Sequence, residues 1–200
     1  MAPLLDLGKV RPDISKLFVV GSIRAGKTTF TRAVSGQGDA FNVVERTAGI
    51  DIVEVELENV GRVKMHDLAG HDIFHTAHGF FIGGVSATYA YIVDTDLPRE
   101  KMEKDAIHWL AFIYCGRSPN DPPAHILILG SRGGGKDQKT RQFMLDSVTR
   151  KIRKMFAGRF IFILEDKSLV LDMRQADSEV MKEVKKHLAI GVQRCLEVTH

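Results

Sequence analysis

One short segment near the start of the chain limits the possible folds more than any other. The apolar run KLFVV at residues 16–20 leads directly into GSIRAGKTT at residues 21–29, which has the spacing G-x-x-x-x-G-K-[ST]. Between a strand and a helix, such glycines let backbone N–H groups converge on an anion at the positive end of the helix dipole. The segment therefore predicts a phosphate-binding loop. Its members are Gly21, Ser22, Ile23, Arg24, Ala25, Gly26, Lys27, Thr28 and Thr29.

The rest of the chain alternates short β-type runs with amphipathic segments. The predicted strands are residues 16–20, 52–57, 62–67, 87–94, 125–130, 159–164 and 168–172, and the predicted helices are residues 27–34, 101–114, 137–156 and 177–196. This alternation predicts βαβ units, and the second and third strands, joined by ENVG, form a hairpin at the sheet edge. We expect an α/β fold of the P-loop NTPase class, with a mostly parallel sheet of six to seven strands, one antiparallel edge strand and helices on both faces.

Length, charge and cysteine content limit the number of domains, the partners and the cellular compartment that we expect for this protein. A length of 200 residues suits one domain, and a formal charge of +3 demands no polyanionic partner. The basic run at residues 149–159 is typical of an amphipathic helix with a solvated face, with nucleic-acid or membrane contact as the alternative. The two cysteines stand far apart, and no apolar run suggests a leader or a membrane span. We expect a cytoplasmic protein with reduced thiols, no nucleic-acid partner and no direct membrane insertion.

A second set of residues fits the phosphate loop. Asp67 ends the strand RVKMHD, so it lies at the carboxyl edge of the sheet, where a carboxylate holds Mg²⁺ through water. The Thr28 hydroxyl would ligate the same ion, Lys27 would reach the β- and γ-phosphates, and the Gly70 N–H would meet the γ-phosphate. Thr47, just before a strand, is placed to close over the γ-phosphate and Mg²⁺. The expected metal ligands are Thr28, Thr47 and Asp67.

Taken in order, these motifs resemble those of Ras-like small GTPases, and in detail the Roc (Ras of complex proteins) domains of the Roco family. The narrower resemblance is carried by TAGI at residues 47–50, DLAGHDIFHTAHGFFI at 67–82, HWLAFI at 108–113 and SLVLDMRQADSEVMKEVKKHL at 168–188. The last segment is most similar to the death-associated protein kinase type.

The resemblance implies a single Roc-like G domain over residues 1–200, with its core at about 16–196. It also implies GTP or GDP and Mg²⁺ as ligands, and an origin as a domain excised from a larger multidomain protein without its COR dimerisation module. The partners expected on this basis are neighbouring domains or effector proteins, and homodimer formation is left open.

The chain departs from the superfamily pattern where guanine is recognised. That pattern, N/T-K/H-x-D after the fifth strand, ends in an aspartate that accepts hydrogen bonds from guanine N1–H and the 2-amino group. Here HILILG runs into SRGGGKD, so that Ser131 and Arg132 take the first two positions and Gly134 takes that of the aspartate. Two interpretations stay open. Either the glycines loop out so that Asp137 reaches the base, or guanine selectivity is weakened, which we favour. The Arg132 stem would stack on the base in either case.

Hydrolysis depends on a further set of positions. His71 replaces the glutamine that orients the attacking water in Ras-type enzymes, a task that histidine also performs, and Thr47 and Gly70 complete the expected catalytic group. Ile23, however, fills a loop position where small GTPases need glycine in the transition state. Arg24 could supply charge in cis, although its position normally points away from the γ-phosphate. We expect slow intrinsic turnover.

Three histidines in the same segment raise a different hypothesis. His71, His75 and His78 are spaced as on one helical face, which suits a zinc site. A fourth ligand is lacking nearby, so a switch and packing role is favoured.

Two functions of different classes compete for this sequence. The first is a regulatory nucleotide switch that responds through Thr47 and residues 67–82, with weak GTPase activity. The second is a pseudo-GTPase, an interaction module that keeps the fold without hydrolysis. An ATPase or a small-molecule kinase is a weaker third, because the sequence has neither a lid arginine cluster nor an acceptor site.

Overall fold

The computed structural model of the chain describes residues 16–36, 49–69, 87–131 and 135–198. Within these ranges it contains seven strands and four helices. The strands are β1 (Lys16–Val20), β2 (Ile50–Leu57), β3 (Gly61–Leu68), β4 (Ala87–Asp94), β5 (Ala124–Ser131), β6 (Phe160–Phe162) and β7 (Leu169–Leu171). The helices are α1 (Lys27–Ser35), α2 (Arg99–Cys115), α3 (Gln138–Met155) and α4 (Glu179–Val198).

All seven strands belong to one sheet with the order β2-β3-β1-β4-β5-β6, and β7 also pairs with β5. Every pairing is parallel except that of β2 with β3. The mostly parallel sheet with one antiparallel edge pair is therefore confirmed. Because the parallel strands point the same way, their carboxyl ends meet along one edge of the sheet, where ligands bind in such folds.

Helices cover both faces of the sheet, which explains why apolar residues lie on both faces of the central strands. All eight residues of β5 are buried. The first face packs against α1 and α4 and the second against α2 and α3. Apolar side chains that the helices contribute to the first face include Phe30, Val34, Met181, Val184, Leu188 and Val192. Those on the second face include Met102, Trp109, Leu110, Ile113, Leu145 and Ile152.

Local sequence signals account for the ends of several elements. The β2–β3 hairpin turns through Asn59 at φ 63 and Gly61 at φ 90, two residue types that tolerate left-handed backbone. Ser178 directly precedes α4, and its hydroxyl accepts a hydrogen bond from the Met181 N–H at 3.2 Å, which satisfies a backbone donor in the first turn of that helix. The hairpin was predicted from its connecting residues, ENVG.

The last two strands differ from the prediction of two full strands at residues 159–164 and 168–172. Each has only three residues, and both lie along the same edge of β5, with β6 opposite residues 124–126 and β7 opposite residues 129–131. The chain between them leaves the sheet, and its carbonyl groups at Leu164, Glu165 and Lys167 accept hydrogen bonds from the Arg153 guanidinium of α3. The Arg153 contacts satisfy backbone groups that a continuous strand would have paired in the sheet.

Candidate functional site

The loop between β1 and α1 has the backbone shape of an anion cradle. Gly21, Arg24 and Gly26 all have positive φ, at 148, 63 and 93 degrees. A Cβ at Gly21 would lie 2.4 Å from the Ile92 carbonyl oxygen of β4, so only glycine fits there. Within the loop, the Ala25 N–H donates a hydrogen bond to the Ser22 carbonyl at 3.2 Å, which makes a tight turn. This path brings the N-terminus of α1 to the carboxyl edge of the sheet.

Lys27, the first residue of α1, is held inside this loop. Only 7 % of the residue is exposed, and its ammonium donates to the Ser22 carbonyl at 2.9 Å. Burial lowers the pKa of Lys27 to about 8, and the nearby Asp67 carboxylate partly offsets the effect. A phosphate group at the loop would stabilise the charged form that burial disfavours.

Thr28 and Asp67 come together across the site. The Thr28 hydroxyl donates to Asp67 Oδ2 at 2.6 Å. Asp67 is fully buried near the end of β3, where it lies beside Val19 of β1. A hydroxyl and a carboxylate are the hard oxygen donors that Mg²⁺ prefers, so these two residues fit a magnesium site. Among the residues that the structure describes, no group of three or more His, Cys, Asp or Glu side chains forms a metal cluster.

Of the remaining loop residues, Ala25 packs into the core on the first face, whereas Ser22, Ile23 and Arg24 are at least partly exposed. Ile23 is 45 % exposed at the top of the loop, and the side chain of Arg24 is exposed as well. The Ser22 hydroxyl donates to Asp105 Oδ2 of α2 at 3.0 Å. The sequence did not predict this contact, because nothing in the α2 pattern distinguishes Asp105 from a solvated helix residue. It ties the phosphate loop to the second face of the sheet.

Two loops from neighbouring strands border the same site. Ser131, at the end of β5, is buried, and its hydroxyl donates to the Val93 carbonyl at 3.2 Å. A Cβ placed on Gly26 would lie 3.6 Å from Ser131 Cβ and 3.2 Å from Met173 Sδ, which follows β7. The phosphate loop, the end of β5 and the segment after β7 are therefore in contact at the carboxyl edge.

Asp137, the residue proposed to reach the base if the glycines loop out, caps α3. Its carboxylate accepts hydrogen bonds from the Thr140 N–H at 3.0 Å and from the Thr140 hydroxyl at 2.6 Å. These hydrogen bonds, led by that of the hydroxyl, lower the pKa of Asp137. The structure thus gives this carboxylate a helix-capping role.

A carboxylate that sequence reasoning passed over lies on the opposite loop. Asp172 directly follows β7, and its side chain is only 10 % exposed. It binds the Arg174 guanidinium with two parallel contacts, from Nε to Oδ1 at 2.9 Å and from a terminal nitrogen to Oδ2 at 3.0 Å. The available signal was an aspartate at the carboxyl end of a predicted strand, the same signal that identified Asp67.

Four predicted site residues, Thr47, Gly70, His71 and Arg132, lie outside the described residues. The histidines at positions 75 and 78 also lie outside them, so the zinc hypothesis is not tested. The described residues bring together the phosphate loop, Asp67 and Ser131.

Solved structures of two proteins share this architecture. The small GTPase Arl6 (BBS3) of Trypanosoma brucei, with the bound nucleotide analogue GppNp, matches with a TM-score of 0.60 and 15 % identity, over 90 % of this chain and 98 % of that chain. The mammalian SRP receptor matches with a TM-score of 0.56 and 20 % identity, over 88 % of this chain and 98 % of that chain. These likenesses establish the fold, which is the mostly parallel α/β fold of P-loop NTPases.

Sequence relatives are sparse. Death-associated protein kinase dapk-1 of Caenorhabditis elegans is 25 % identical over 79 residues, which make up 40 % of this chain and 6 % of that protein. No protein-family model matches the chain. Within the described residues, no helix has the length and apolar character needed to cross a bilayer.

Proposed function

We propose that this chain is a GTP- and GDP-binding regulatory switch domain of the Roc type, with slow GTP hydrolysis and weakened guanine selectivity. The observation that carries the proposal is the arrangement of Lys27, Thr28 and Asp67 around a glycine-rich loop on a small-GTPase fold. The Roc assignment is supported by the motifs at residues 47–50 and 67–82 and by the partial match to a death-associated protein kinase.

Each described residue has a distinct task in this proposal. The Lys27 ammonium exchanges the Ser22 carbonyl for phosphate oxygens, and the N–H groups of the loop bind the same phosphates. Thr28 would hold Mg²⁺ directly and Asp67 through water. When bound, Mg²⁺ neutralises negative charge on the phosphates. Positioning and electrostatics of this kind account for most of the catalysis of phosphoryl transfer.

The switch itself is assigned to residues outside the described ranges. Thr47 and Gly70 would respond to the γ-phosphate, and the loss of that group would release both segments. His71 would orient the attacking water. Neighbouring domains, an effector protein or a second copy of the chain would then respond to the change.

The weakened selectivity for guanine is expected from the residues that follow β5. The position equivalent to the base-reading aspartate is Gly134, and Asp137 caps α3 instead. An unmatched polar base edge costs about 1 to 3 kcal/mol, which is enough to lose much discrimination while the phosphate contacts keep affinity.

The alternative function is a pseudo-GTPase interaction module. The observation that favours it is Ile23, whose branched side chain stands at the top of the phosphate loop. A side chain there would crowd the transition state without preventing binding of the nucleotide.

Single-turnover hydrolysis separates the two functions. Nucleotide-free protein is loaded with GTP and Mg²⁺, and formation of GDP is followed by chromatography. We expect a rate constant of roughly 10⁻⁴ s⁻¹. His71→Leu should lower the rate by about tenfold or more with GTP affinity unchanged, because the water loses its orienting group. Ile23→Gly should raise the rate constant of hydrolysis, because it removes the side chain that would crowd the transition state. No GDP above the uncatalysed background in the wild type or in Ile23→Gly would favour the pseudo-GTPase.

A pH titration gives an independent prediction. Burial lowers the pKa of Lys27 to about 8, so nucleotide binding requires uptake of a proton once the pH exceeds that value. Phosphate groups, with a second pKa of about 6, are already ionised in this range. We expect GDP affinity to fall by about tenfold between pH 7.5 and pH 9, a change of about 1.4 kcal/mol. Lys27→Arg, whose side chain does not titrate there, should give a flat profile. A flat wild-type profile would contradict the assignment.

A further inference from the structure

We propose that Asp172 is the carboxylate that recognises guanine in this protein, and that Arg174 occupies it until the base arrives. The inference rests on the proposed nucleotide-binding function and identifies which residue sets its base preference. This assignment places guanine recognition in the loop after β7, whereas the sequence pattern of small GTPases places it in the loop after β5.

The sheet brings Asp172 to the correct edge of the site. In the pairing of β5 with β7, Ser131 lies opposite Leu171, so Asp172 is the first residue beyond the paired strands. The next residue, Met173, approaches the phosphate loop, since its sulfur lies 3.2 Å from where a Gly26 Cβ would stand. A nucleotide with its phosphates at Lys27 and its base extended toward β5 and β7 would therefore meet this segment.

The contact between Asp172 and Arg174 has the same hydrogen-bonding pattern as the recognition of guanine by a carboxylate. The Arg174 guanidinium offers two parallel N–H donors, one to each carboxylate oxygen, at 2.9 and 3.0 Å. Guanine presents the same pair of donors from N1–H and its 2-amino group, whereas adenine does not. A carboxylate that accepts two hydrogen bonds from a guanidinium is equally suited to accept two from guanine.

Arg174 is the partner that is easily displaced. Its side chain is 68 % exposed, whereas that of Asp172 is 10 % exposed, so the guanidinium can move into water while the carboxylate stays in place. Because the guanidinium lies largely in water, solvent weakens its attraction to the carboxylate, and it can leave when guanine supplies two donors in its place. Because guanine must still compete with Arg174, the resulting preference is weaker than that of an unoccupied carboxylate, as the proposed function requires.

Carboxylates on the neighbouring loops have other tasks. Asp137 accepts two hydrogen bonds from Thr140. Asp96 pairs at 2.8 Å with Arg141, a fully buried arginine on α3. Removal of a partner from a buried ion pair is strongly unfavourable, so Asp96 is not available for exchange in the way that Asp172 is.

Nucleotides with altered base edges test this proposal. GDP, ADP and xanthosine diphosphate (XDP) are titrated with Mg²⁺ into the nucleotide-free 200-residue chain and its variants by calorimetry. We expect the wild type to bind GDP about tenfold more tightly than ADP. Asp172→Asn should remove that preference, because its amide offers a donor where guanine needs an acceptor. The same donor suits the 2-oxo group of xanthine, so XDP should gain about tenfold. The matched control, Asp137→Asn, should keep the wild-type ratio.

Arg174→Ala tests the same contact from the other side if Asp172→Asn does not fold. Arg174→Ala removes the competing guanidinium and should tighten GDP about threefold or more with ADP unchanged. An unchanged ratio of GDP to ADP in Arg174→Ala, or retention of the wild-type ratio in folded Asp172→Asn, would overturn the assignment. Equal binding of GDP and ADP to the wild type would overturn it too, but would leave nucleotide binding intact. Binding of neither nucleotide would overturn the proposed function as well.

Discussion

Lys27→Ala is expected to abolish nucleotide binding, with a loss of affinity for GTP of about a hundredfold or more, equivalent to about 2.7 kcal/mol. The reason is that the ammonium is buried inside the loop, next to where the phosphates would lie. A charged hydrogen bond in a site shielded from water is stronger than its exposed counterpart. Calorimetry with GTP and Mg²⁺ measures the effect, and Lys104→Ala, at an exposed lysine on α2, is the control.

A stability measurement separates this result from misfolding. The pKa of Lys27 is lowered from 10.5 to about 8 in the folded chain, so between these values the unfolded state binds more protons. Wild-type stability should therefore rise as the pH increases from 8 to 10.5, and below pH 8 the buried charge costs about 3 kcal/mol. Lys27→Met keeps the apolar stem and removes this cost, so it should unfold at a higher temperature at pH 7 while failing to bind. Undiminished GTP affinity in either variant would refute the site assignment.

Gly21→Ala is expected to destabilise the fold by about 3 kcal/mol and to abolish nucleotide binding as well. The added Cβ would stand 2.4 Å from the Ile92 carbonyl oxygen, and the backbone φ of 148 degrees is unfavourable for any L side chain. The carbonyl belongs to the central strand β4, which cannot move without breaking its pairs with β1 and β5. The strain must therefore be relieved by displacement of the phosphate loop.

Urea denaturation measures this loss against a matched glycine. Gly36 also has positive φ, at 75 degrees, but a Cβ there would meet nothing within 4 Å. Gly36→Ala should cost only about 1 kcal/mol, from the backbone conformation alone. Equal destabilisation of the two variants would mean that the close approach to Ile92 is not important.

The sequence predicts the fold well where periodicity is strong. Strands β4 and β5 are rich in apolar residues on both faces, a pattern that requires cover on both sides of the sheet, and β2 alternates apolar and polar residues as an edge strand should. The positions of β6 and β7 along one edge of β5 could not be predicted. Two short apolar runs have the same sequence pattern whether they lie side by side or end to end along a neighbouring strand. In addition, the side chain that binds the segment between them is Arg153, which belongs to α3.

The candidate site likewise contains residues that the sequence predicts and contacts that it does not. Lys27, Thr28 and Asp67 were predicted because the phosphate loop and the strand end each have a local signature, and the structure brings all three together. The contact between Ser22 and Asp105 joins residues with no common pattern, so only the packing of α2 reveals it. Asp172 ends a predicted strand, as Asp67 does, but the pattern of the small GTPases that the sequence resembles places base recognition in the loop after β5.

Nucleotide affinity tests the central claim most directly. Any nucleotide that co-purifies is first identified by chromatography and removed, and the protein is then titrated by calorimetry with GTP, GDP and ATP in the presence of Mg²⁺. We predict binding of GTP and GDP, with ATP weaker by about tenfold, or about 1.4 kcal/mol. Failure to bind any of the three nucleotides, by a folded protein that unfolds cooperatively, would contradict the assignment of residues 21–29 as a working phosphate site.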